Sequence, residues 1–199
     1  MNINENKMGY CEIIYGPMKS GKTSRLLQLY KQFQFCEISV MVINHCLDKR
    51  YSETLLSNHD RVMIPCINTH NLSDLADINS TVLSKGTHIK DFYEAQVILI
   101  NEAQFFGDIV PWVTSAVEKY NKNVYVCGLN SDFRRKPFGN WLDLELICDK
   151  VTQLTSWCGF CKKQKALFSH RLSNETDTIV IGSDNYIPVC RKCWLTLNR

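Results

Sequence analysis

The sequence predicts an α/β fold in which helices cover both faces of a mostly parallel sheet, followed by a small β-rich domain. Three observations predict this fold. A glycine-rich loop separates an apolar run from a helical pattern near residue 20, and strand-like and helix-like segments alternate over residues 10–150. Two Cys-x-x-Cys pairs then bracket short strand-like segments. Strands that alternate with helices are typical of right-handed crossovers in a parallel sheet.

The glycine-rich loop fits the phosphate-binding pattern G-x-x-x-x-G-K-[ST], known as a P-loop. It comprises Gly16, Pro17, Met18, Lys19, Ser20, Gly21, Lys22 and Thr23. Its glycines let the backbone wrap closely enough for N–H groups to point at phosphate oxygens, and the following helix adds the positive end of its dipole. Lys22 adds a full charge, and Thr23 can offer its hydroxyl to Mg²⁺. The loop therefore predicts a binding site for a nucleoside triphosphate.

The alternating segments over residues 10–150 supply the rest of the sheet. Four of them are short, apolar and rich in β-branched residues, as expected of parallel strands that are buried on both faces. These predicted strands lie at residues 11–15, 39–44, 97–101 and 123–128. Helical spacing predicts helices at residues 22–35 and 109–120, and residues 45–75 are predicted as loop with one short helix.

The chain contains 10 cysteines, and four of them form the two Cys-x-x-Cys pairs: Cys158 with Cys161, and Cys190 with Cys193. Two such pairs can present four thiolates to one Zn²⁺ ion in a closed, tetrahedral, structural site. The remaining six are scattered, and we expect them to act as small core hydrophobes rather than reactive groups. They are Cys11, Cys36, Cys46, Cys66, Cys127 and Cys148.

These features predict three regions: a flexible N-terminal tail at residues 1–9, a P-loop nucleotide-binding α/β domain at 10–150, and a small β-rich zinc-binding domain at 151–199. The last region reads as short strands at residues 151–155, 166–172 and 178–181. So short a segment cannot bury a large core, and a bound metal would supply the missing stability.

Composition limits the class of protein. The 199 residues are 45% hydrophobic and 22% charged, which is normal for a globular protein, and the net charge is +3. No apolar run reaches the ~18 residues that a membrane span needs. The polar N-terminus lacks the apolar region of a secretory signal. We therefore expect a cytoplasmic protein with no membrane partner, and the small net charge gives no support for a nucleic-acid partner.

A second nucleotide motif lies at residues 97–106, where an apolar strand ends directly in Asn101 and Glu102. P-loop proteins hold Mg²⁺ and place a catalytic carboxylate at such a strand end. The alternative for this segment is an ordinary loop, but its pairing with the P-loop favours a catalytic role.

Taken together, these motifs resemble those of the zinc-containing, cellular-type (type II) thymidine kinases of animals, bacteria and large DNA viruses. The resemblance covers about residues 10–194 and rests on four segments and the two cysteine pairs, which occur in the order typical of the family. The four segments are residues 16–23, 48–52, 101–106 and 128–139.

The resemblance implies transfer of the γ-phosphoryl group of ATP to the 5′-hydroxyl of thymidine, which gives dTMP and ADP. Glu102 matches the general base of the family. The implied ATP site includes the P-loop, with Thr23 on Mg²⁺, and four further residues: Asp48, Arg50, Asn101 and Gln104. For Asp48 and Arg50, a solvated loop pair stays open as an alternative.

The same comparison implies a nucleoside site. Base and sugar would pack against Met18, Phe105, Leu129 and Phe133, which without the resemblance would read as core residues. A lid would close over the base, and its residues are Ile179, Val180, Ile181, Gly182 and Tyr186. Zinc would anchor both ends of this lid, so that it can open and close while excluding water. A homotetramer and feedback inhibition by dTTP are also implied.

The chain departs from the family pattern at several positions. Asn101 stands where the family usually has Asp, so Mg²⁺ binding is expected to weaken, and the lid is slightly shorter than usual. Three alternatives therefore stay open: a deoxynucleoside kinase with altered base choice, a catalytically weak regulatory relative, and a nucleic-acid-binding ATPase with a zinc ribbon. The phosphate contacts of that last protein would be Arg134, Arg135, Lys136, Lys162 and Lys163.

Overall fold

A computed structural model describes residues 8–48, 54–57, 61–80, 85–175, 177, 180 and 185–198. Six strands form one sheet in the order β5-β2-β6-β7-β1-β8, and every neighbouring pair in it is parallel. The strands of this sheet are β1 (Tyr10–Tyr15), β2 (Val40–His45), β5 (Ile67–Thr69), β6 (Val97–Ile100), β7 (Asn123–Gly128) and β8 (Lys150–Gln153). The prediction of a mostly parallel α/β sheet is confirmed.

Helices pack on both faces of this sheet, as predicted. The α-helices are α1 (Lys22–Phe35), α2 (Leu72–Leu75), α3 (Ile89–Glu94), α4 (Ile109–Glu118) and α5 (Arg191–Leu197), and short 3₁₀ helices span Ala103–Phe105 and Trp141–Leu146. Helix α1 has the predicted bounds, whereas α4 ends two residues before the predicted end.

Two separate apolar clusters lie on the two faces of the sheet. Ile14 in β1 packs with the buried leucines of α1, and its neighbour Ile13 packs with α4 and Trp141 on the opposite face. Successive side chains of a strand point to opposite faces, so strands buried on both sides must be apolar throughout. This requirement is the physical reason why the central strands read as continuous apolar runs.

The segment at residues 151–155 does not belong to the β-rich segments that follow it. Strand β8 pairs in parallel with β1, with Ile13 opposite Val151 and Tyr15 opposite Gln153. The sheet therefore continues past residue 150, because β1 needs a second neighbour to satisfy its backbone groups. The division of the chain into domains stays a prediction.

Several elements carried no clear sequence signal. Short strands β3 (Leu55–Ser57) and β4 (Met63–Pro65) form an antiparallel pair within the stretch predicted as loop, and β5 follows them. Helices α3 and α5 were also not predicted. The predicted strand at residues 178–181 lies outside the described residues, apart from Val180, which is in no regular element.

The C-terminal region is built from two antiparallel pairs and α5. Strand β9 (Ser156–Trp157) pairs with β10 (Lys165–Ala166), and β11 (Phe168–Arg171) pairs with β12 (Tyr186–Val189). Its small buried cluster contains four residues besides Val189: Cys158, Ala166, Cys190 and Cys193. This cluster is separate from the two that cover the large sheet.

The six scattered cysteines differ in burial. Cys11 and Cys127 are fully buried, as expected of small core hydrophobes, and Cys46, Cys66 and Cys148 are half-buried. The expectation is wrong for Cys36, which follows the end of α1 and is exposed.

The helices in the described part of the chain are all too short or too polar to cross a membrane.

Candidate functional site

The predicted site residues gather at the carboxyl edge of the large sheet. The P-loop connects β1 to α1, and the segments after β6 and β7 leave the sheet beside it. The register places Tyr15 opposite Gly128, while Ile100 lies opposite Val126. Because the strands are parallel, their last residues meet at one edge, which is where open α/β sheets bind ligands.

The P-loop is shaped for an anion. Helix α1 begins after Gly21, which has a φ of 86° and contributes no side-chain cap to the first turn. The N–H groups in the first turn of an α-helix point out of its N-terminus, where the positive end of the helix dipole favours a phosphate. The Ser20 hydroxyl oxygen is buried and finds no hydrogen-bond partner among the described residues.

The Lys22 ammonium group is held inside the loop. Its Nζ donates hydrogen bonds to the carbonyl oxygens of Gly16 at 3.0 Å and Pro17 at 2.8 Å. Gly16 is needed here because a Cβ atom at this position would lie 2.4 Å from the Leu154 carbonyl oxygen. The segment after β8 thus packs directly against the P-loop.

Glu102 lies at the end of β6 in a left-handed conformation, with φ 57° and ψ 41°. Gln104 Nε2 donates a hydrogen bond to Glu102 Oε2 at 2.5 Å, and Gln104 Oε1 accepts one from the Leu129 N–H at 2.9 Å. The ends of β6 and β7 are therefore joined through one amide side chain.

Lys22 and Glu102 lie on the two sides of β7, because Lys22 follows β1 and Glu102 follows β6, and these strands are the neighbours of β7 in the sheet. Burial raises the pKa of the Cys127 thiol, the charge of Lys22 opposes the rise and the charge of Glu102 adds to it. The Cys127 thiol also approaches the Lys22 carbonyl oxygen at 3.7 Å. A cation and a carboxylate thus flank the end of β7, as expected of a site that transfers a charged group to a hydroxyl.

Asn101 is buried, and its contacts explain how the chain accommodates an amide there. Its Nδ2 donates a hydrogen bond to Asn44 Oδ1 at 2.9 Å, and both side chains are 2% exposed. An aspartate in place of Asn101 could not donate, so the Asn44 amide would have to turn and present its own N–H group.

Three of the predicted nucleoside-site residues lie at this edge of the sheet: Met18 in the P-loop, Phe105 after β6 and Leu129 after β7. The Met18 N–H donates to Ser169 Oγ at 2.9 Å, which joins the P-loop to β11. The Phe105 ring lies 5.4 Å from the ring of Phe138, edge to face. Leu129 follows β7 and is held by Gln104.

His45, at the end of β2, extends this aromatic group. Its ring lies 5.4 Å from that of Phe105 and 4.7 Å from that of Phe106. Burial, together with the charge that His70 can carry, lowers the pKa of His45. The imidazole is therefore neutral at pH 7. In this form its ring packs with the two phenylalanines as part of the aromatic group at this edge of the sheet.

A buried arginine organises the predicted lid. Arg171 is 4% exposed, and its Cζ lies 3.9 Å from the centre of the Phe133 ring. It donates to Tyr186 Oη at 3.1 and 2.6 Å, and also to the carbonyl oxygens of Glu175, at 3.0 Å, and Asp177. Arg171 thus joins predicted nucleoside-site residues from two regions of the chain.

The four paired cysteines converge. The sulfur atoms of Cys158, Cys161, Cys190 and Cys193 all lie within 4.8 Å of one another. Four sulfurs around a zinc ion at about 2.3 Å would be about 3.8 Å apart, so the cluster can hold a tetrahedral metal ion. Burial acts to raise the pKa of Cys158, but hydrogen bonds from backbone N–H groups, chiefly that of Cys161, lower it to about 6. This favours the thiolate, which is the form that binds metal.

Other predicted site residues have less definite positions. Asp48 lies three residues after β2, and its N–H donates to the His45 carbonyl oxygen at 2.9 Å. Burial and the nearby charge of Asp48 raise the pKa of Cys66 to about 11. Four predicted residues lie outside the described part of the chain: Arg50, Ile179, Ile181 and Gly182.

Sequence reasoning missed Ser169 and Arg171 because the alternation of β11 is inverted. These two polar residues are buried, whereas Phe168 and His170 are half-buried. Hydropathy would place the aromatic residues inward. A buried polar pair in a strand gives no local signal, since its partners come from distant parts of the chain.

Comparisons with known proteins agree with this geometry. The family model described as thymidine kinase matches residues 9–194. A thymidine kinase of Fowlpox virus (strain NVSL) is 38% identical over 192 residues, which cover 94% of this chain and 98% of the relative. One of Myxoma virus (strain Uriarra) is 36% identical over 187 residues, covering 94% and 96%. Thymidine kinase a of Arabidopsis thaliana is 36% identical over 196 residues, covering 98% and 79%. With a match that spans almost all of its sequence, the chain belongs to the thymidine kinase family.

Proposed function

We propose that this chain transfers the γ-phosphoryl group of ATP to the 5′-hydroxyl of thymidine, giving dTMP and ADP. The observation that carries the proposal is geometric: a P-loop lysine, Lys22, follows β1 and a carboxylate, Glu102, follows β6, on the two sides of the end of β7. Membership of the thymidine kinase family and the names of the relatives support thymidine as the acceptor.

On the phosphate side, the first turn of α1 and the Lys22 ammonium group would bind the phosphates of ATP. The ammonium would exchange its two loop carbonyls for phosphate oxygens, which carry full charge and form stronger hydrogen bonds. Thr23 and Asn101 would hold Mg²⁺, which neutralises phosphate charge when bound. Asp48 and Arg50 would complete this side.

In the chemical step, Glu102 would accept the proton of the 5′-hydroxyl as the new O–P bond forms. The bond between the γ-phosphorus and its bridging oxygen breaks, and ADP leaves with that electron pair. Positioning and charge stabilisation supply most of the rate enhancement in such transfers, and a general base typically adds about 10²–10⁴-fold. Held by Gln104, the Glu102 carboxylate is suited to that role.

On the nucleoside side, we propose that the base lies among Met18, Phe105, Leu129 and Phe133. A zinc ion on the cysteine cluster would fix both ends of a lid that contains Val180 and Tyr186. The zinc ion would thus help the lid to recognise the base without touching the nucleoside itself. A homotetramer, inhibition by dTTP and a cytoplasmic location complete the proposal by analogy with the family.

The test is conversion of labelled thymidine by the purified full-length chain, with the product identified by mass. We expect dTMP only when ATP and Mg²⁺ are both present. A panel of nucleosides in the same assay measures base selectivity. No nucleoside turnover, together with DNA binding that weakens steeply with salt, would contradict the proposal and favour a nucleic-acid-binding protein.

Replacing Asn101 by Asp is expected to raise the apparent Mg²⁺ affinity by about tenfold, or about 1.4 kcal/mol. The new carboxylate adds negative charge beside the metal, and the Asn44 amide can turn to donate to it. The measurement is the Mg²⁺ dependence of turnover at saturating ATP and thymidine. Asn130→Asp adds the same charge elsewhere at this edge and serves as the control. Equal Mg²⁺ dependence in N101D and wild type would show that Asn101 does not weaken metal binding.

Replacing Arg171 by Lys is expected to raise the KM for thymidine by about 10- to 100-fold, since hydrogen bonds to a charged group contribute about 1.5–3 kcal/mol. Lysine keeps the charge but cannot reach Tyr186 and the lid carbonyls together. The KM for ATP should change by less than about twofold, because Arg171 contacts the lid rather than the P-loop. Arg191→Lys, at the exposed start of α5, is the matched control. An unchanged KM for thymidine would show that the contacts of Arg171 do not contribute to thymidine binding.

A further inference from the structure

We propose that Gln104 is a positioning residue that aims the Glu102 carboxylate, rather than a ligand of ATP as its place in the motif suggested. The inference rests on the proposed function, in which Glu102 is the general base. In this proposal the orientation of the Glu102 carboxylate is set by the Gln104 amide, which is itself bonded to Leu129 at the end of β7.

The hydrogen bonds fix which way the Gln104 amide points. The Leu129 N–H can only donate, so the amide group must turn its oxygen, Oε1, towards Leu129, at 2.9 Å. Its Nε2 is then forced towards Glu102 Oε2, which it meets at 2.5 Å. Both ends of the amide are thus engaged by the protein, and the side chain is 4% exposed.

Two glycines lie next to Gln104 and leave the space that this residue occupies. A Cβ atom at Gly128 would lie 2.9 Å from Gln104 Oε1 and 2.8 Å from the ring of Trp141. A Cβ atom at Gly139, where φ is 68°, would lie 2.6 Å from the Gln104 carbonyl oxygen. Larger residues at either position would displace the amide, because contacts this short do not occur between real atoms.

Leu129, the partner of Gln104, is itself fixed on both sides of its backbone. Its N–H donates to Gln104, and its carbonyl oxygen accepts a hydrogen bond from Trp141 Nε1 at 3.0 Å. Trp141 is fully buried beneath the end of β7. The chain Trp141–Leu129–Gln104–Glu102 therefore leads from the packed core to the carboxylate.

This support matters because the backbone at Glu102 is unusual. Its φ of 57° lies in the left-handed region, which a non-glycine residue adopts only when its surroundings demand it. A general base must hold its oxygen within hydrogen-bond reach of the proton that it takes. The Gln104 hydrogen bond supplies an orientation that the local backbone alone does not.

The test compares Gln104→Glu with Gln104→Met in the full-length chain. Glutamate keeps the shape and can still accept from Leu129, but it replaces the donor to Glu102 by a second carboxylate. Two carboxylates this close share a proton, so the acidic limb of the kcat–pH profile should move to higher pH by about one unit or more. Methionine removes both hydrogen bonds, and kcat should fall by about 10- to 100-fold with both KM values within about threefold.

A purely structural role predicts a different result. It would leave Q104E close to wild type, because the Leu129 hydrogen bond survives, and it would harm only Q104M. The carboxyl ¹³C NMR signal of residue 102 is a readout that does not need turnover. The midpoint of its pH titration should lie at higher pH in both variants than in wild type. Gln34→Met, on the exposed side of α1, is the control and should match wild type throughout.

The outcomes separate the two proposals. An active wild-type enzyme whose kcat–pH profile and ¹³C titration are unchanged in Q104E would overturn the role of Gln104 alone. A wild-type chain that does not phosphorylate thymidine would overturn the proposed function, and the positioning role with it. If Q104M fails to fold, Q104E alone decides, because it preserves the contact with Leu129.

Discussion

Replacing Glu102 by Gln should lower kcat for thymidine phosphorylation by about 10³-fold, within the range that general bases contribute. The amide cannot accept the proton of the 5′-hydroxyl, but its oxygen can still accept the hydrogen bond that Gln104 donates. The site should therefore keep its shape and lose only its chemistry. ATP affinity should change by less than about twofold, because the Lys22 loop carbonyls and the first turn of α1 are untouched.

The measurement is single-turnover phosphorylation of thymidine together with equilibrium binding of ATP. Glu118→Gln is a suitable control, since Glu118 ends α4 and is exposed. Turnover in E102Q close to that of wild type would remove Glu102 from the role of base. Loss of ATP binding together with turnover would instead indicate that the carboxylate is needed to form the site.

Removing the metal, or replacing Cys190 by Ser, should abolish tight thymidine binding before the α/β sheet unfolds. The C-terminal cluster is small and separate from the two clusters on the large sheet, so we expect its order to depend on a metal bound by the four cysteines. Arg171 and Tyr186, which are bonded to each other at the predicted lid, lie in the chain between Cys161 and Cys190. A lid that must order on binding costs roughly 2–5 kcal/mol, so the dissociation constant should rise by roughly 30-fold or more.

The measurement is thymidine binding and far-UV circular dichroism followed across one chelator titration. Cys148→Ser provides the control, because Cys148 is a half-buried cysteine outside the cluster. Simultaneous loss of binding and of sheet structure would show that the metal region and the sheet form one folding unit. The hydrogen bond from the Met18 N–H to Ser169 and the place of β8 in the sheet are the contacts that would couple them.

Much of the site's phosphate half was predictable because its signals are local. The turn at Gly21 and the leucine spacing after it define the start of α1, whose bounds the sequence predicts correctly. The paired cysteines also have a local signature, and the structure brings their sulfur atoms together. The nucleoside half was predicted only through the resemblance, since aromatic residues in a pattern look the same in a core and in a binding site.

Gln104 illustrates what the motif alone could not show. It stands two residues after Glu102, which suggests a shared ligand, but its amide is oriented by Leu129, 25 positions further along the chain. Asn101 is similar: its buried partner, Asn44, lies 57 positions earlier in the chain. Neither hydrophobic periodicity nor turn signals can predict such pairs, because each pair depends on how the strand ends are aligned across the sheet.

By itself, the sequence determined the α/β class, the P-loop, the central strands and the cysteine cluster. Each follows from the conformational preferences and hydropathy of neighbouring residues. Only the tertiary structure decided that β8 completes the sheet, that Arg171 is buried and bonded to Tyr186, and that Gln104 donates a hydrogen bond to Glu102. Buried hydrogen bonds between distant residues are set by the packing of whole elements, so they exist only once the chain has folded.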